Sequence, residues 1–171
     1  MFQVVSIPEG HPLRRYLGRL TCSSFDAVGF RDREVVDYVS RMLVDFVHVD
    51  NLFRRSGRGR RLETVADFLE EFLDPEGMPE RELRRQMGDF CLFFTGLYPD
   101  TLEARSVSPG FYVSQGKAAY RFVSEYDAWR PTAATFRKLA EQFEWCVQAL
   151  NLEREFLHDP FYQYLIRQMG I

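Results

Sequence analysis

The sequence predicts an all-α fold: one domain over residues 1–171, built as a bundle or orthogonal array of five to seven helices. Three observations carry that prediction. Apolar residues recur at spacings of 4 and 3 in four separate segments, which places them on one side of a 3.6-residue helix. Prolines fall at the junctions of these segments, where a helix starts or stops. Between Met87 and Tyr126, aromatic and small residues are crowded together. Small residues let neighbouring backbones approach and rings fill the space that remains, so this stretch reads as the heart of the packing.

The elements follow in order. Residues 2–7 read as extended, and Pro8-Glu9-Gly10 as a turn. Pro12 opens a short helix through Leu13, Tyr16, Leu17 and Leu20, with a loop over 21–30. A first long helix covers about 32–53, its stripe formed by Val35, Val39, Met42, Phe46, Val49 and Phe53. Glu34, Asp37, Arg41, Asp45 and His48 lie on the opposite side, with charges paired at i,i+4. After an arginine-rich loop, a second helix over 62–73 presents Leu62, Val65, Leu69 and Phe72, and Asp74-Pro75-Glu76-Gly77 stops it. Pro79 starts a third helix carrying Leu83, Met87, Phe90, Phe94 and Leu97. This helix is apolar on most sides near Phe90, so it is expected at the centre. Pro99 ends it.

Ser108-Pro109 reads as a cap and first-turn proline for a fourth helix with Tyr112, Gly116, Ala119, Val123 and Tyr126 on one side. Gly116 and Ala119 form a notch for a neighbouring helix. A fifth helix over 132–150 carries Phe136, Ala140, Phe143, Val147 and Leu150. Residues 152–158 extend the helical pattern by a turn or two, and Asp159-Pro160 begins a final helix through Phe161, Leu165, Ile166 and Met169.

Composition narrows the function. Hydrophobic residues make up 46% and aromatics 15%, enough to offset chain entropy and exclude disorder over most of the length. The net charge of −3 gives no global attraction to nucleic acid or an anionic membrane. Of the 22 basic residues, only Lys117 and Lys138 are lysine, but the arginines are spread along the chain. Cys22, Cys91 and Cys146 form no CxxC pair. Cys91 and Cys146 sit within apolar patterns and read as reduced core residues of a cytoplasmic protein. No signal peptide is expected at the N-terminus, and no segment approaches the ~20 apolar residues of a membrane span.

The run Gly88-Asp89-Phe90-Cys91-Leu92-Phe93-Phe94-Thr95-Gly96-Leu97-Tyr98-Pro99, then Phe111-Tyr112 and Gly116-Lys117-Ala118-Ala119-Tyr120, resembles a pattern in small uncharacterised bacterial helical proteins. The resemblance covers about the central quarter of the chain. It implies a bacterial cytoplasmic protein and brings no activity, cofactor or catalytic residue.

The candidate chemistry is sparse. Asp45-x-x-His48 and Glu155-x-x-His158 have the spacing of metal-ligand pairs on a helix, but the first lies on the charged stripe and the second at a helix end. They read as a solvated face and a terminal histidine, and no metal or cofactor is expected. Arg54, Arg55, Arg58, Arg60 and Arg61 offer an anion or nucleic-acid contact, against which stands the acidic stretch from Glu63 to Glu82. Asp89, Tyr112, Lys117 and Tyr120 are candidates for a small-ligand pocket. If Asp89 is buried, its pKa must rise or it must find a partner such as an arginine or a helix N-terminus, and that arrangement is more often a structural salt bridge or cap.

No nucleophile elbow, zinc-protease, phosphate-loop or dinucleotide motif is present. The leading expectation is therefore a non-enzymatic adaptor, regulator or self-associating protein, with a homodimer among its forms. The alternatives are a helical enzyme or carrier with an internal small-ligand or metal site, and anion or nucleic-acid binding through the arginine loop.

Overall fold

The computed structural model describes residues 7–46, 59–74, 77–157 and Arg167. Within these it is all-α, with eight helices and no β-strand. They are α1 (Pro12–Ala27), α2 (Arg33–Asp45), α3 (Val65–Glu71), α4 (Glu80–Leu97), α5 (Pro99–Ala104), α6 (Pro109–Tyr126), α7 (Ala133–Glu141) and α8 (Phe143–Leu157). The backbone gathers into two compact units: residues 1–52 with 145–171, and residues 53–144. The extended segment at 2–6, the expected helix past Phe46, Arg54, Arg55 and Arg58, and the helix expected after Pro160 lie outside the described residues.

In the first unit, α1 runs seven residues past the helix expected to end at Leu20. Its inner face continues from Leu13 and Leu17 through Thr21, Ser24 and Phe25, all buried. Two small polar residues interrupt the hydrophobic count there but not the helical spacing. The stop is a Schellman motif: Gly29 takes φ +80°, the Gly29 N–H donates to the Asp26 carbonyl at 3.0 Å, and the Phe30 N–H donates to the Phe25 carbonyl at 2.9 Å. The Phe25 and Phe30 rings meet edge to face at 5.4 Å, closing the motif with its apolar contact. Asp32 caps α2, whose Val35, Val36, Val39, Met42, Leu43 and Val44 are buried. From α8, the Trp145 Nε1–H donates to the Val28 carbonyl at 3.0 Å and its ring packs edge-on against Phe30.

In the second unit, α3 begins only at Val65, where Thr64 and Asp67 form a capping box. This start sets the phase, so Val65 and Phe68 face inward and Leu69, expected inside, is 39% exposed. Helix α4 is buried at every position from Gln86 to Leu97. Its partner α6 approaches closely at two glycines. A Cβ at Gly88 would lie 2.6 Å from the Tyr120 ring, and one at Gly116 would lie 2.5 Å from the Phe143 ring and 2.9 Å from Cys91 Cβ. Each glycine costs about 1 kcal/mol in helix propensity, a cost outweighed here by the ring that occupies the missing side chain's space.

Pro99 ends α4 as expected but also opens the short α5. The expected helix over 132–150 is broken at Gln142 into α7 and α8, and its inner stripe survives the break with Phe136, Ala140, Phe143 and Leu150 buried. Tyr126, expected on the inner side of α6, is 57% exposed, because it lies at the last turn, beyond the buried Val123.

Candidate functional site

The sequence candidates centre on Asp89, in the second unit. Glu80 and Glu82 occupy the first turn of α4, where acidic side chains complement the helix dipole. Three arginines, Arg81 between these glutamates and Arg84 and Arg85 just after them, each find a partner. The Arg85 guanidinium donates to both carboxylate oxygens of Glu82 and, through Nη1, to Asp89 Oδ2 at 2.9 Å. Asp89 Oδ1 accepts from the Tyr120 hydroxyl of α6 at 2.8 Å. Asp89 is 4% exposed and Tyr120 fully buried, so this bond pins α4 to α6 in the interior.

One turn earlier, Arg81 donates through Nε and Nη2 to the carboxylate of Asp127, which caps α6 and is 0% exposed. The Arg81 guanidinium holds the Asp127 carboxyl below the ordinary carboxylate range, and Asp127 in turn raises Arg81. Arg130 lies 3.8 Å from the same carboxylate.

The four candidates do not converge. Asp89 and Tyr120 touch. Tyr112 lies two turns before Tyr120, buried beside Phe90 with its ring centroid 6.1 Å away, and burial raises its hydroxyl pKa. Lys117 turns away to a half-exposed Glu144, donating to Oε1 at 2.6 Å, and that cation holds the Glu144 carboxyl below its ordinary value. Of the arginine loop, Arg60 donates to Glu70 at 2.8 Å and Arg61 lies 3.6 Å from Glu63, so acidic neighbours already engage both. Cys91 and Cys146 are buried, and burial pushes the Cys146 thiol up to about 12 and Cys91 up as well, which keeps both as inert thiols.

Sequence reasoning passed over a buried carboxyl of the first unit, Glu153 of α8. Glu153 is 0% exposed. Its Oε1 accepts from the Thr21 hydroxyl of α1 at 2.8 Å, while its buried Oε2 has no hydrogen-bond partner among the described residues. Ser24 Oγ, one turn along α1 from Thr21, is also buried and unpartnered. Burial pushes the Glu153 carboxyl up to about 8, with the Thr21 hydrogen bond acting weakly the other way. The signal was present in the spacing: Cys146, Ala149, Leu150 and Glu153 are all buried on one face of α8.

The surface of the second unit carries an aromatic strip, half-buried at Phe72 and Phe122 and exposed at Tyr126 and Trp129. The Arg84 guanidinium lies between the Phe72 ring, at 4.0 Å, and the Phe122 ring, at 5.0 Å. Phe122 stacks on Tyr126 with centroids 6.2 Å apart and planes 20° from parallel. In the turn that follows, Trp129 is 76% exposed, with the Arg130 guanidinium 4.7 Å over its ring. No helix among the described residues is long and apolar enough to cross a membrane, and no group of three or more His, Cys, Asp or Glu among them could hold a metal ion. Compared with known proteins, the chain matches no family model, no curated protein and no solved structure.

Proposed function

We propose that this chain is a non-enzymatic binding protein, an adaptor or regulator of the bacterial cytoplasm, and that it meets a protein partner through the aromatic strip of its second unit. The strip formed by a half-buried Phe122 and the exposed Tyr126, Trp129 and Arg130 carries the reading. Trp, Tyr and Arg are the residues in which interface energy concentrates, and an exposed apolar patch of this kind marks an interaction surface more often than an accident of the fold. Arg84 holds the Phe122 ring by stacking on it, so less side-chain freedom is lost on binding.

The small-ligand reading draws less support. Both Asp89 oxygens are engaged by Tyr120 and Arg85, and Lys117 is directed to Glu144. Placing a photo-crosslinking residue at position 129, with position 105 as the control, tests the binding reading in the cells that make the protein. Adducts are expected from 129 and not from 105, and are expected to disappear with Tyr126→Ser. Equal labelling at the two positions, or none at 129, would reject it.

A further inference from the structure

A groove of about 400 Å³ lies between α6 and α7, lined on the α6 side by Arg121, Glu125 and Ala128, the sequence neighbours of Phe122, Tyr126 and Trp129. Its floor is made of small side chains: Ser124, Ala128, Ala133 and Ala140. Arg121 and Glu125 stand on the α6 rim, and Arg137 and Glu141 on the α7 rim. All four are exposed, and none makes an ion pair or side-chain hydrogen bond with another described residue. The contrast with α4 is direct, since Arg81, Arg84 and Arg85 are each paired there. Helices α6 and α7 run antiparallel: Tyr120 packs near Phe136 of α7, and Gly116, a turn earlier, meets Phe143, the first residue of α8, which follows α7 after Gln142. The four charges therefore alternate in sign both along each rim and across the groove.

A face with this pattern is its own complement. A two-fold axis crossing the groove at right angles to the helices would lay α6 antiparallel on the α6 of a second copy, and α7 on its α7. Arg121 then faces Glu125 of the other copy, and Arg137 faces Glu141. The same operation carries the exposed Trp129 of each copy past the Arg121–Glu141 end of the other's groove, about one turn beyond Arg121. A face with a single sign of charge, or without the protruding ring, would not close on itself in this way.

We infer that the partner on this face is a second copy of the chain, joined across the α6–α7 groove by exchange of Trp129 and by reciprocal Arg–Glu pairing. This inference rests on the binding reading above and names its partner. Light scattering and sedimentation on the full chain, from about 1 to about 200 µM, are expected to show the mass rise from 20.2 kDa towards twice that value. Trp129→Ser and Arg137→Glu are each expected to weaken the dimer at least about tenfold, and Arg137→Glu with Glu141→Arg to restore it. All three altered side chains are exposed, and circular dichroism of each variant verifies that the helices remain.

A monomer over the whole range overturns the inference, as does a dimer indifferent to both single variants. A monomer whose position 129 still crosslinks to a different protein leaves the binding reading standing. A monomer that crosslinks to nothing removes both.

Discussion

The two units handle buried carboxyls in opposite ways. In the second, Asp89 and Asp127 are taken out of water together with donors that meet their charge: Tyr120 and Arg85 for one, a two-pronged Arg81 for the other. In the first, Glu153 receives one hydroxyl on one oxygen and, among the described residues, nothing on the other. Removing a carboxylate from water is costly unless a partner compensates, so the Arg81-paired Asp127 ionises more readily and Glu153 resists ionisation. The lesson is that burial alone does not set a carboxyl's state. The donor set does, and it decides whether alkali or acid loosens each unit.

The largest expected effect breaks this contrast at Glu153. Its folded-state pKa, about 8, lies above the ordinary 4.5, so the folded form holds the proton more tightly than the unfolded chain. The associated stability is complete below pH 4.5 and is lost as pH rises towards and through about 8, amounting to something on the order of 5 kcal/mol. Glu153→Gln keeps a neutral side chain of similar shape. Urea unfolding between pH 5 and pH 9 is expected to show the wild-type chain losing stability with rising pH and the variant staying nearly level. Identical slopes for the two would show that Glu153 is not the group responsible.

Arg81→Ala attacks the other side of the comparison. It leaves Asp127 buried, with Arg130 at 3.8 Å as the remaining cation. Breaking such a pair is expected to cost about 3 kcal/mol at pH 7. The sign of the pH effect is reversed relative to Glu153. Asp127 titrates below its ordinary 3.8, so the stability it contributes is present above that value and is lost as pH falls through the lower, folded-state one. The variant is therefore expected to close much of its gap to wild type in strong acid. A constant gap from pH 7 to pH 2 would assign the loss to the packing of Arg81 over Phe136 instead.

Tyr120→Phe is a smaller break at the same kind of site. The ring still fills the space over Gly88, but Asp89 Oδ1 loses its hydroxyl donor. A cost of about 1–3 kcal/mol is expected from the under-satisfied carboxylate, read from thermal or urea unfolding. No measurable change would mean that Arg85 alone suffices for Asp89.

The helix stripes were legible because burial repeats at helical spacing: Leu83, Met87, Phe90, Phe94 and Leu97 are all inside, as their pattern requires. At Asp89 the sequence left open a raised pKa, an arginine partner or a helix N-terminus, and its actual partners are Arg85, one turn back on the same helix, and Tyr120 of α6, which no local pattern named. What spacing could not convey was phase and interruption. Helix α3 is shifted by a cap formed from its own side chains, and α1 runs on because Thr21 and Ser24 keep the helical register while looking polar. Glu153 was overlooked for the same reason, as a charged letter on an apolar face. The exposed strip was not readable at all. Tyr126 continues the inward stripe of α6, and its exposure follows from where the neighbouring elements end, which no local pattern encodes.

The smallest expected effect sharpens the comparison at the helix stops. Each unit ends a helix with the same Schellman hydrogen bonds, α1 at Gly29 and α5 at Ser106, where the Val107 N–H donates to the Leu102 carbonyl at 2.9 Å and the Ser106 N–H to the Glu103 carbonyl at 2.9 Å. The left-handed position is held by glycine in the first case and by serine, with φ +57°, in the second. A Cβ is strained in that conformation by about 1–2 kcal/mol, partly offset by the extra freedom glycine has in the unfolded chain. Ser106→Gly is thus expected to stabilise the protein by about 0.5–1 kcal/mol, and Gly29→Ser to destabilise it by a similar or larger amount. Thermal unfolding of the two variants at a pH near 6 measures both, and a destabilising Ser106→Gly would mean that the serine side chain contributes more than its backbone strain costs.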